Sequence, residues 1–164
     1  MRKLSVLLIV LILAGCASAP TPVAMTTPFD PVEHSSYKNP GTGSIKGQGF
    51  MRQQGGTVVT CAGSTAYLFP DTGYFREIIQ IAKSRQTVAA AIPIEAQQTV
   101  RTSDCDAQGN FSYSNIPAGK WFITVEVKWI IGYYPQGGSL LRNILVTDGQ
   151  SQEILLSDKD FIAR

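Results

Sequence analysis

The chain has 164 residues, 44% hydrophobic and 16% charged, with 15 glycines, 9 prolines and 3 cysteines, a length that suits one domain with an extension rather than two full domains. Its formal net charge of +2 rests on Arg2 and Lys3, because 14 basic residues less these two leave 12 against 12 acidic ones. A neutral chain lacks the basic stripe that nucleic acid or an anionic membrane surface needs in a partner, and a single histidine leaves little for metal or acid–base chemistry.

Met1-Arg2-Lys3 is a short basic start, followed by an apolar run of eleven residues from Leu4 to Ala14. That run is too short to cross a hydrocarbon core as a helix, which takes about 20 residues, but it fits the apolar region of a secretory signal peptide. It ends in Leu13-Ala14-Gly15-Cys16, which resembles the lipobox of bacterial lipoproteins. The resemblance implies cleavage after residue 15. It also implies a diacylglyceryl thioether at Cys16 and acylation of the new amine by chains such as palmitate. Several acyl chains make a durable anchor where one would be marginal. Ala17 and Ser18 follow, with no Asp after the cysteine, and the family's sorting pattern then favours the outer membrane of a bacterial envelope.

Residues 16–43 carry five of the nine prolines among many Thr and Ser, without sustained apolar periodicity. Proline fixes φ and favours extended backbone, so this segment reads as a disordered, semi-stiff tether, able to hold a domain up to roughly 80 Å from the membrane. The lone His34 then reads as a solvated tether residue.

From residue 44 the pattern becomes short alternating runs separated by turn signals every ten residues or so, the mark of a β-sandwich. Strands are expected at 45–50, 57–61, 64–69 (Thr65, Tyr67 and Phe69 sharing a face), 98–103, 111–114, 121–130, 140–147 and 152–156. The strongest runs from Trp121 to Ile130, with Trp121, Ile123, Val125, Val127 and Trp129 on one face. Asp148-Gly149 is expected to close the last two strands as a hairpin. Residues 72–85 instead place Tyr74, Ile78 and Ile81 beside Phe75, Ile79 and Ala82 at helical spacing, with Asp71 or Thr72 as a cap, and predict a short inserted helix. Residues 86–97, which contain Pro93, read as a covering loop.

The run from Arg101 to Trp121 includes Asp106-Ala107-Gln108-Gly109-Asn110-Phe111-Ser112-Tyr113 and then Ile116-Pro117-Ala118-Gly119. It resembles the carboxypeptidase regulatory-like domain, an all-β, seven-stranded transthyretin-like (prealbumin-like) sandwich, and Gly47, Gly56 and Val58 to Leu68 resemble that family's opening strands. The resemblance covers residues 44–157, leaving 158–164 as a tail. It implies an accessory rather than a catalytic domain. The zinc site of the peptidase that names the family lies in another domain, and the hydrolases of similar fold need several histidines that this domain lacks. Lys46 and Asn143 are the residue types of the isopeptide bonds in related surface domains, but nothing near them marks such a bond. No catalytic residue, metal ligand or cofactor is assigned.

With Cys16 acylated, Cys61 and Cys105 remain as an even pair in an oxidising compartment, each at a strand end beside a turn. A disulfide between them is expected to close a loop of about 44 residues and to contribute roughly 4 kcal/mol on the chain-entropy account. Finally, the loop Ile131 to Gly138 projects Tyr133 and Tyr134 among glycines and a proline. Exposed aromatics on such a tip suit a sugar ring or a protein groove, while the plainer reading has them cap the sandwich end. Edge strands offer a second docking route. The chain thus reads as a lipid-anchored envelope protein displaying a non-catalytic sandwich for a protein partner, with a carbohydrate or peptidoglycan ligand as the alternative.

Overall fold

The computed structural model describes residues 20–163, so the leader and Cys16 lie outside the described residues. In chain order the elements are β1 (Pro22–Val23), α1 (Pro31–Lys38), β2 (Gly43–Arg52), β3 (Val58–Thr60), β4 (Thr65–Pro70), α2 (Gly73–Lys83), β5 (Thr87–Val88) and α3 (Ile94–Gln97). There follow β6 (Arg101–Asp104), β7 (Asn110–Ile116), β8 (Gly119–Ile131), β9 (Tyr134–Val146), β10 (Ser151–Leu156), a 3₁₀ turn (Asp158–Asp160) and β11 (Phe161–Ala163).

Two sheets face each other across one core, which makes the chain an all-β sandwich. One sheet has the order β11-β9-β8-β4-β6. In the other, β2 pairs β10 on one side and β7 and then β3 on its remaining residues. The alternation read in β8 holds: Trp121, Ile123, Val125 and Val127 are buried between the sheets with Ile45, Leu68, Leu140 and Leu156. Across from them β2 presents glycine. A Cβ at Gly47 would sit 2.1 Å from the Phe111 ring, so only a glycine leaves that ring its place.

The helix is Gly73–Lys83, capped by the Thr72 hydroxyl, which accepts from the Phe75 amide. It lies on the outer face of the five-stranded sheet, Phe75 packing on Phe69 and Phe69 on Phe122. Residues 86–97 cover the same face, though they contain β5 and the single turn α3.

Three expectations are corrected. The Pro-rich segment is not a free tether from residue 20 onward. β1 pairs β5, Thr26 and Thr27 hold the Glu77 carboxylate, and α1 packs against the sandwich. Asp30 caps α1 and Pro31 opens it, so that proline starts a helix instead of preventing one. His34 is accordingly buried. Second, β9 and β10 do not form a hairpin: β10 crosses to the other sheet and pairs β2 in parallel, because Ile154 and Leu156 fill that side of the core. In β4, Thr65, Tyr67 and Phe69 do share a face, the one toward the helical layer, while Ala66 and Leu68 turn inward. Third, residues 158–163 are not a tail: they form the 3₁₀ turn and β11, which adds a strand to the sheet beside β9. The Arg142 guanidinium donates twice to Asp160 at 2.9 and 2.8 Å and holds that end in place.

Candidate functional site

Three groups of side chains were singled out by sequence, and the structure places two of them. Cys61 and Cys105 are joined, with Cα atoms 5.8 Å apart and both buried. Cys61 follows β3 of one sheet and Cys105 follows β6 of the other, so the bond ties the two sheets together. Beside it, Asp106 accepts from the amides of Gln108 and Asn110. The Asn110 side chain, then that backbone amide, holds the Asp106 carboxyl below its ordinary value. Gly109 sits at φ +79°, where an added Cβ would press on Thr60 and the Gly49 carbonyl, so the turn requires glycine. These are structural residues.

Tyr133 and Tyr134 do not cap the sandwich. β8 and β9 run paired from Gly119–Val146 out to Ile131–Tyr134, with Gly132 and Tyr133 alone as the turn. The stretch expected as a loop is therefore mostly strand. Tyr133 is 97% exposed and Tyr134 73%, with Ile130 at 72% and Ile131 at 59% beside them. Ile131 and Tyr134 are cross-strand partners, as are Ile130 and Pro135. No charged residue occurs from Trp129 to Leu141, and at the start of that run the Trp129 indole N–H is buried without a partner. Cys16, the third group, lies outside the described residues.

Sequence reading missed His34. It is fully buried, its Nδ1 donating to the Asp30 carbonyl at 2.8 Å and its Nε2 accepting from the Thr72 hydroxyl at 3.0 Å. A carbonyl only accepts, which assigns the proton to Nδ1. Phe29, Tyr74 and Phe75 surround the ring. His34 is thus the rivet between α1 and the start of α2. Lys46 and Asn143 lie on different sheets, and the Asn143 amide donates to Asp71. The structure does not bring those two together.

Two clefts lie on the outer faces of the sheets. A cleft of about 670 Å³ lies over the four-stranded sheet, lined by Lys46, Gln48, Asn110, Ser112 and Glu153 among others. Glu153, Lys46 and Ser112 are neighbours in register across three strands. That row offers an ammonium, a carboxylate and a hydroxyl, with amides next to it: a hydrogen-bonding floor. A second cleft of about 580 Å³ is apolar, between α2 and the outer face of the five-stranded sheet, with Tyr67, Phe69, Phe75 and Ile78 in its walls. Among the described residues no three His, Cys, Asp or Glu side chains gather at metal-binding distance.

No family model matches the chain, and no curated protein matches it in sequence. Among solved structures it is similar to a candidate carbohydrate-binding protein from Pseudomonas aeruginosa. That match has 22% identity and a TM-score of 0.66, and covers 80% of this chain and 98% of that one. The likeness is one of fold. A chlorocatechol 1,2-dioxygenase from Pseudomonas putida aligns at 14% identity and a TM-score of 0.25, covering 86% of this chain and 68% of that chain, which carries no argument.

Proposed function

We propose that this chain is a lipoprotein of the bacterial cell envelope, anchored at Cys16 and favouring the outer membrane. Its carboxypeptidase regulatory-like sandwich then serves as a non-catalytic module for contact with another envelope protein. The lipobox-like end of the apolar leader supports the anchor, and the observation that supports protein contact is the edge of β10. This six-residue strand pairs β2 on one side and stands at the end of its sheet, uninterrupted by proline, with Leu155 exposed. An open edge of that kind takes up a partner strand through its free amides and carbonyls. Photoreactive residues at positions 153 and 155 test this in cells. Both are expected to capture the same envelope protein, and capture of nothing at either position overturns the reading. Cys16→Ser is expected to abolish incorporation of a labelled palmitate analogue, and an acyl-free wild-type chain overturns the anchor.

A glycan ligand is the second reading. It is favoured by the hydrogen-bonding floor at Lys46, Gln48, Asn110 and Ser112 and by the description given to the Pseudomonas aeruginosa neighbour. A sugar needs hydrogen-bond partners as well as an aromatic face. Around Tyr133 and Tyr134 the neighbours are Ile130, Ile131 and Pro135, so the floor of the cleft is the better sugar site of the two. Sedimentation with purified peptidoglycan separates them: Lys46→Ala/Ser112→Ala is expected to lose binding, whereas loss with Tyr133→Ala/Tyr134→Ala would move the site to the hairpin.

A further inference from the structure

We propose that the tip of the β8–β9 hairpin rests in the lipid–water interface of the membrane that holds Cys16, with Ile130, Ile131, Tyr133 and Tyr134 at headgroup depth. This rests on the reading of Cys16 as acylated.

The direction of the chain carries the argument. The residues before α2 are tied to the start of β8 and the end of β9: the Asp71 amide donates to the Lys120 carbonyl, and Asn143 donates to Asp71. Phe75 then reaches Phe69, beside Phe122, and Ile78 lines a cleft with Thr124. The helix therefore runs toward the tip. The N-terminal segment runs back along it, His34 packing at Phe75, Thr26 and Thr27 at Glu77, and β1 on β5 beyond the helix. Pro20 thus leaves the fold on the side toward the hairpin tip. From there Cys16 is four residues away, a reach of at most about 14 Å. Past Thr124 the hairpin continues for seven residues, about 23 Å, while past Ile78 the helix continues for about 8 Å. The tip overhangs the helix by about as much as the short link to Cys16 can span.

The chemistry of the tip fits that position. Ile131 and Tyr134 project from one face of the ribbon, and Ile130 and Pro135 from the other. A protein groove covers one face of a ribbon; a lipid interface receives both. Tyrosines at the turn suit the boundary layer, where the ring is apolar and the hydroxyl stays wet. Lys128, the nearest cation on β8, is paired with Glu126 at 2.7 Å. The chain's neutrality excludes adsorption by charge, but insertion of apolar side chains needs no basic stripe.

The test uses the chain purified with its native N-terminus and placed in zwitterionic phosphatidylcholine vesicles containing phospholipid brominated near the headgroup. Tyr133→Trp is expected to lose several-fold more emission than Leu145→Trp, an exposed position at the far end of β9, with no change on adding salt. Equal quenching of the two, or none at 133, overturns the proposal. Ile131→Asp is expected to weaken vesicle binding of the N-terminal-acyl-free chain about tenfold or more, with an unaltered denaturation midpoint showing that the fold is intact. The mass of the N-terminal peptide reads the anchor separately. An acylated chain without quenching overturns the tip and leaves the anchor, and a chain bearing no lipid overturns both the anchor and the choice of membrane. In cells, a photoreactive residue at 133 is expected to capture phospholipid, and capture of protein or peptidoglycan instead overturns the proposal.

Discussion

The two ends of the β8–β9 hairpin are made of the same two strands in one continuous register, yet they live in different surroundings. From Trp121 to Val127 every second side chain is buried between the sheets, and Tyr37 of α1 stands edge-on against Trp121 at 5.0 Å. From Ile130 to Tyr134 side chains of comparable size stand 59–97% exposed. Apolar surface at the first end stabilises the fold. At the second it does not, and large apolar groups gathered in one place without folding work mark a surface that something else covers.

Truncation at the two ends separates these roles most sharply. Trp121→Ala removes a fully buried side chain whose indole N–H donates to the Pro117 carbonyl. It is expected to cost about 3–5 kcal/mol in denaturant unfolding, whereas Tyr133→Ala is expected to change stability by less than about 0.5 kcal/mol. A comparable loss at Tyr133 would mean that the tip packs, and the contrast between the ends would fail. The next effect concerns the tie beneath the hairpin, since Cys61 and Val125 both crowd Gly49. Cys61→Ala/Cys105→Ala opens a 44-residue loop, which amounts to about 4 kcal/mol in the chain-entropy account. Reduction of the wild-type chain is expected to reproduce the loss of the double variant, and the vesicle contacts of the tip should survive at temperatures where the fold remains intact.

A third comparison lies where α1 meets α2. Thr72→Ala removes a cap and leaves the buried His34 Nε2 without a partner, an expected cost of about 1–3 kcal/mol. Thr72→Ser keeps the hydroxyl and should retain most of the stability. If alanine and serine behave alike, the hydrogen bond to His34 is not what holds the N-terminal segment down.

How far these features were legible from sequence follows from their range. The period-two pattern of Trp121 to Val127 is local, and it named the core strand and its inward face without help. The inserted helix was legible for the same reason, since Tyr74, Phe75, Ile78 and Ile79 recur at helical spacing within one segment. The partner of β10 was not, because Asp148-Gly149 turns a chain equally well within a sheet or between two, and only the core position of Leu156 decides. The segment from Pro20 to Gly43 misled through its prolines. Yet Asp30-Pro31-Val32-Glu33 is a helix start, with a cap, a proline at the first position and an early acid; its apolar face was hard to see because the ring it buries belongs to a histidine. At the binding surface, the tyrosines stood out by composition. Their distance from any core, and the direction in which Pro20 leaves, came only with the three-dimensional path.

The smallest effect is one of pH, and it bears on whether the N-terminal segment stays beside α2. Glu77 is lowered to about 2, the nearby Thr27 hydroxyl being the largest cause, followed by the amide and hydroxyl of Thr26 and the Thr27 amide. The carboxylate accepts at 2.6–2.7 Å from both amides and the Thr26 hydroxyl. A folded value below that of the unfolded chain means that docking is favoured while Glu77 is ionised in both states, above about pH 4.3. The contribution falls as pH drops from there toward 2. Amide exchange at Thr26 and Thr27, corrected for intrinsic rates, should therefore rise across that window while the amides of Ile123 and Val125 stay protected. Glu77→Gln is expected to raise exchange at the two threonines at neutral pH and to remove its pH dependence. Because the half-buried Glu77 carboxylate is held by Thr26 and Thr27, the effect is confined to that segment. Freed from α2, residues 20–27 would lengthen the link to Cys16, so quenching of Tyr133→Trp by brominated lipid should weaken in the same pH window and persist unchanged above it.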